Sequence, residues 1–168
     1  DPLLFPSSSE KYKTISYELE NVHDFAWFAD KRFLVTKDQI ELSGSEKEVT
    51  TWAFFNQVDQ GLWMNANNYI IDALRYYSRW YGDYPYDNCT AISGISTGGG
   101  MEYPAITIIG PASSAESLEH VIMHEVGHNW FYGALGFNER KYPFFDEGLN
   151  TFSEVRYINE KYPDNNEF

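Results

Sequence analysis

Basic residues are scarce in this 168-residue chain: 12 Lys and Arg stand against 25 Asp and Glu, a formal charge of −13 at pH 7. Nucleic acid is bound by displacing its counterions with cationic side chains, so the imbalance argues against that partner and equally against anionic membrane surfaces. Long apolar runs are also missing, and nothing reaches the roughly 18 residues that a membrane-crossing helix needs. The opening Asp1-Pro2-Leu3-Leu4-Phe5-Pro6 has neither the basic start nor the apolar stretch of a leader peptide, so none is expected within this chain. Cysteine occurs once: Cys89 cannot close an intramolecular disulfide, and its apolar surroundings predict burial. Histidine is rare, with four in all, yet His120, His124 and His128 fall within nine residues.

Apolar residues make up 43% of the chain and aromatic ones 18%, which excludes a disordered tail. A single domain of this length buries roughly 70% of its extended-chain surface, enough for one core. Most of the tyrosines and tryptophans fall at core spacing, so packing is preferred over a carbohydrate-stacking surface. Residues 1–13, with two prolines and three consecutive serines, read as an extended lead-in, and 14–168 as one α+β unit. Thr14 to Leu19 alternates like a strand, and Val49 to Val58 is apolar on both faces like an interior strand. From Leu62 to Tyr81 the period turns helical through Ile70, Leu74, Tyr77 and Tyr81. Strands are expected at Thr90 to Ile95 and Ala105 to Ile109, on either side of the glycine-rich Thr97 to Pro104. A helix follows from Ala115 to about Tyr132, ended by Gly133, and Asp146 is expected to cap a last helix from Glu147 to about Glu160.

His124-Glu125-Val126-Gly127-His128 is the pattern HExxH. Residues four apart on a helix lie within about 40° of rotation and 6 Å of rise, so two imidazoles can face one ion at roughly 2.0 to 2.1 Å. Glu125, one residue past the first ligand, is near the metal without sharing the two-ligand face, and suits the role of proton acceptor. Catalytic zinc takes a third protein ligand and keeps a position open. Glu147 is the candidate, with eighteen residues between it and His128.

These residues resemble the M1 aminopeptidases, the gluzincin family marked by HExxH, eighteen residues and then Glu; Trp130-Phe131 after the second histidine matches too. Gly99-Gly100-Met101-Glu102 looks like that family's GxMEN exopeptidase motif, and the loop Asn138 to Pro143 is closer to aminopeptidase N-like members of the Bacteroidetes type. The resemblance implies a thermolysin-like catalytic domain holding one Zn²⁺ per chain on His124, His128 and Glu147, with Glu125 as general base. Gly99, Gly100, Met101 and Glu102 would line the cleft for peptides with a free N-terminus, Glu102 pairing with the α-ammonium. Glu154 also recurs in the family and is expected to accept a hydrogen bond from a ligating histidine. His120 is rotated about 80° from His128 and is excluded as a ligand; His23 is assigned to packing.

Tyr103-Pro104 stands where most members have Asn, and Tyr132 precedes a glycine that commonly follows Trp-Phe directly. Both departures bear on side-chain preference. Family members carry an N-terminal β-domain, a C-terminal helical domain and a downstream tyrosine that stabilises the oxyanion, whereas this chain stops 21 residues after Glu147. Loss of one oxyanion donor costs roughly 10² to 10³ in kcat. The expectation is therefore a catalytic-domain fragment that holds zinc and cleaves weakly. The rivals are an endopeptidase of the same zinc chemistry, which Glu102 argues against, a non-enzymatic scaffold, which has no need of all four zinc-site residues, and epoxide hydrolysis, known in rare relatives.

Overall fold

The computed structural model describes residues 10–94 and 99–164; residues 1–9 of the predicted lead-in, residues 95–98 and the last four residues lie outside them. Five strands form one mixed sheet in the order β1-β2-β3-β5-β4. β1 (Leu34–Glu41) and β2 (Glu48–Phe55) are an antiparallel hairpin that sets Leu34 opposite Phe55 and Ile40 opposite Val49. β2 runs parallel to β3 (Asn88–Ser93), β3 parallel to β5 (Ile106–Ile109), and the two-residue β4 (Gly100–Met101) closes the far edge antiparallel to β5. Along β2 the residues Val49, Thr51, Ala53 and Phe55 are buried on one face, the period-two pattern of a strand packed beneath helices.

Parallel strands need a crossover, and α1 (Gln60–Trp63) with α2 (Ala66–Tyr81) supplies the one between β2 and β3. Ala66, Ile70, Ala73, Leu74 and Tyr77 form the buried stripe of α2, and Gly82, at φ +97°, ends it with its N–H on the Ser78 carbonyl. α3 (Ala115–His128) begins at Ser114, whose hydroxyl accepts from the Ser117 N–H at 3.1 Å. It passes into a wider π-helical turn over Asn129–Ala134, and α4 (Glu147–Lys161) follows. Cys89 is buried in the core, and burial pushes its thiol up to about 12. Among the described residues no helix is long and apolar enough to cross a membrane.

Three local expectations are corrected, and one strand, β1, is added. Thr14 to Leu19 has no strand partner, and Ile15 and Tyr17 are exposed; alternation without a neighbour cannot satisfy a strand's backbone. β1 escaped notice because exposed Lys37, Asp38 and Gln39 interrupt its apolar pattern. The predicted helix 62–81 is divided at Met64 and Asn65 into α1 and α2. Asp146 occupies the position before α4 but makes no side-chain cap, because its carboxylate is drawn to a buried imidazole.

Candidate metal centre

α3 presents two stripes. Leu118, Ile122 and Val126, spaced by four, are buried in the core, while His120, His124 and His128 form the neighbouring stripe. α4 lies antiparallel beside it, since Glu147 at its start meets His128 and Tyr157 and Lys161 near its end meet Glu119. Between these ends, fully buried Asn150 donates to the His124 carbonyl at 2.6 Å and accepts from the Tyr77 hydroxyl at 2.9 Å. Gly127 permits this approach, because a Cβ there would strike both Asn150 and the Tyr77 ring. The last turn of α3 is thereby fixed to α2 and α4 together.

His124 Nε2 and His128 Nε2 stand 3.1 Å apart, and Glu147 Oε2 lies 3.4 Å from the first and 3.8 Å from the second. Ligands at zinc distance in a tetrahedron are separated by about 3.3 Å, the value these three distances bracket. The donor set, two imidazole nitrogens and one carboxylate oxygen, is also that of a catalytic zinc site, so the residues present fit the ion. Each ring's other nitrogen is engaged: His124 Nδ1 donates to Glu154 Oε2 at 3.0 Å, and His128 Nδ1 meets Asp146 Oδ1. Both contacts leave Nε2 as the lone-pair nitrogen. His120 Nε2 contacts the second oxygen of Glu154.

Burial disfavours protonation of both rings, but the hydrogen bonds they donate to Glu154 and Asp146, together with the negative charges of those carboxylates and of neighbouring glutamates, outweigh it and hold both pKa values above the ordinary histidine value. Glu154 is itself desolvated, yet His120 and His124 draw it down to about 2. Glu125 behaves in the opposite way. It is 4% exposed, its Oε2 has no hydrogen-bond partner, and burial, which outweighs the pull of His128 and is reinforced by repulsion from Glu102 and Glu147, holds it at about 8 without a metal. Glu102 reaches the same spot from the other side: its carboxylate, that of Glu125 and a His128 nitrogen lie within 4.8 Å of one another.

The glycine-rich segment supplies that wall. Gly100 on β4 has no room for a side chain, since a Cβ would come within 2.5 Å of the Glu125 carboxyl carbon. Gly99, at φ +77°, accepts from the Gly110 N–H at 2.6 Å, and Met101 keeps its carbonyl on the Thr107 hydroxyl. The resulting cleft, of about 470 Å³, is lined by Gly99, Gly100 and Glu102 together with His120, His124, Glu125, Glu147 and Glu154. All nine residues singled out in the sequence are thus at or beside one cleft, Met101 through its place in β4. The contacts of Asp146, Asn150 and His120 were not foreseen; the only local signal for the first two is their place beside Glu147 in Asp146-Glu147-Gly148-Leu149-Asn150.

No protein-family model and no curated protein sequence matches the chain. Solved structures with the same fold include Legionella pneumophila aminopeptidase A in complex with aspartic acid, at TM-score 0.64 and 14% identity over 76% of this chain and 16% of that one. They also include an M1 zinc metallopeptidase from Deinococcus radiodurans, at TM-score 0.58 and 19% identity over 76% and 29%. A two-domain M1 zinc metallopeptidase bound to L-arginine gives 0.60 and 19% over 77% and 30%. The chain therefore shares the fold of part of the M1 zinc metallopeptidases and spans less than a third of the length of each.

Proposed function

We propose that this chain carries the zinc centre of a gluzincin-type, thermolysin-like aminopeptidase that removes N-terminal residues from peptides. The observation that carries this reading is the convergence of His124 Nε2, His128 Nε2 and Glu147 Oε2 at ligand spacing beside buried Glu125, whose Oε2 has no hydrogen-bond partner. A zinc ion held there would polarise the scissile carbonyl, lower the pKa of a water toward about 7 and, as a nearby cation, offset the burial and repulsion that raise the Glu125 pKa. Glu125 takes the proton from the attacking water and delivers it to the departing amine. Glu102, beside Glu125 in the cleft, pairs with the substrate's α-ammonium and so admits chain ends over chain interiors. Glu154 and Asp146 fix the two histidine tautomers that ligation requires. The shared fold and the donor chemistry support this assignment.

Calorimetric titration of the chelator-stripped chain with Zn²⁺, combined with hydrolysis of a peptide and its N-acetylated counterpart, tests the proposal. The expected result is one zinc per chain and cleavage confined to the free amine, with Glu125→Gln retaining metal and losing about 10² to 10⁴ in turnover. Absence of zinc binding would defeat the proposal outright. Equal cleavage of the acetylated peptide would replace it with an endopeptidase, and stoichiometric zinc without hydrolysis of any peptide would leave a scaffold.

A further inference from the structure

The third histidine of the cluster has no part in the ligand set, yet it is tied to it. The rotation of about 40° for every four residues turns His120 away from the ion and toward α4. There its Nε2 meets Glu154 Oε1, while Glu154 Oε2 holds His124 Nδ1 at 3.0 Å. Glu154 is only 7% exposed, so each of its oxygens needs a donor from the protein, and two imidazoles on successive turns of α3 supply them. A carboxylate held at one oxygen can swing about its terminal torsion; one held at both cannot. The His120 side chain is partly exposed on the cleft wall, so it is not retained by packing alone.

We propose that His120 is a positioning residue for the metal centre: by occupying one oxygen of Glu154 it commits the other to His124 and fixes that ring with its Nε2 free for the ion. The proposal rests on the zinc reading above and adds a third participant behind the ligand. His120 touches neither substrate nor metal.

The test uses the 168-residue chain with His120→Ala, His120→Asn, Glu154→Ala and the double substitution H120A/E154A. Loss of a partner behind a metal ligand costs 10- to 100-fold in affinity, and His120, one step further out, is expected to cost about 10-fold in zinc affinity with the circular dichroism of the folded chain unchanged. His120→Asn, whose amide can donate to the same oxygen, recovers part of the loss. His120→Ala adds nothing once Glu154 is Ala. Long-range nitrogen–proton spectra of the metal-free chain at alkaline pH give a readout independent of zinc: His124 is protonated at Nδ1 in the unsubstituted chain and divides between tautomers in His120→Ala. A zinc affinity changed less than twofold, a loss that persists in the Glu154→Ala background, or an unaltered His124 tautomer overturns the role of His120. Failure of the unsubstituted chain to bind zinc strikes the proposed function instead, and is told apart because the tautomer comparison needs no metal.

Discussion

The two ends of the α3 and α4 pairing are built from similar residues and are finished differently. At the distal end Glu119, 7% exposed, accepts from the Tyr157 hydroxyl at 2.5 Å, the Tyr162 hydroxyl at 2.8 Å and Lys161 Nζ at 2.5 Å, and Lys161 also reaches Asp72 at 2.8 Å. The acid there meets three donors, one of them a neutralising cation. At the other end two imidazole nitrogens face each other at 3.1 Å, Glu147 hangs beside them half-exposed, and buried Glu125 has an oxygen with no partner. Buried polar groups are ordinarily satisfied, and local violations of that rule collect where a ligand completes the set. One end thus fastens the helices, and the other carries the unsatisfied donors that the proposed cation would complete.

Removing a donor from the open end should have the largest effect. Glu147→Ala is expected to weaken zinc by far more than the 10- to 100-fold typical of an outer partner, while metal-free melting stays within about 0.5 kcal/mol because Glu147 is mostly exposed. Calorimetry and melting of the stripped chain measure both; a destabilised metal-free fold would erase the division of labour. The mirror experiment is Glu119→Ala at the closed end. It leaves Lys161 short of its buried partner and Tyr157 without an acceptor, and should cost about 3 kcal/mol in denaturant unfolding with zinc affinity changed less than threefold.

The metal end was the more legible of the two, and the reason is local. A helix ties residue i to i+4 whatever surrounds it, so His124, Glu125 and His128 are a site as soon as α3 is a helix. Glu147 needed the additional knowledge of a characteristic spacing. Asp146 was misjudged because an Asp before a helix is normally its cap; only the tertiary approach of His128 reveals the competitor. Asn150 and Gly127 were invisible as a pair, since their contact exists only once α2, α3 and α4 meet. The closed end depends wholly on such meetings, and nothing in the spacing of Asp72, Glu119 and Lys161 announces it. In the sheet the same limit hid β1, whose pairing with β2 outweighs its polar centre.

Asp146 sharpens the comparison at intermediate size. Its carboxylate, 2% exposed, holds His128 as Glu154 holds His124, so Asp146→Ala should cost 10- to 100-fold in zinc affinity. Were Asp146 acting as a helix cap, the substitution would instead lower the metal-free melt by about 1 kcal/mol and spare the metal. Asp146→Asn separates the two further, because an amide can still cap α4 but can no longer stabilise an imidazole made more basic by a carboxylate.

The smallest expected effect concerns pH at the closed end. Burial opposes the charge on Lys161, but hydrogen bonds to Asp72, Glu119 and Tyr157 overcome it and raise its pKa above the ordinary lysine value. A cation whose folded pKa is raised contributes stability that is complete below its unfolded value and is lost as pH climbs above it, because the unfolded chain releases its proton first. The contribution is therefore flat from pH 6 to 9 and falls by about 1.4 kcal/mol per unit above roughly pH 10.4. Comparing the chain with Lys161→Met isolates it, since other alkaline titrations are largely common to both proteins. The difference in unfolding free energy between them should shrink by about 1 kcal/mol from pH 8 to pH 11. A difference that stayed constant across that interval would mean that the ammonium charge is not what fastens α4 to α2 and α3, and that the aliphatic stem of Lys161 and the tyrosine rings stacked around it hold the closed end by packing alone.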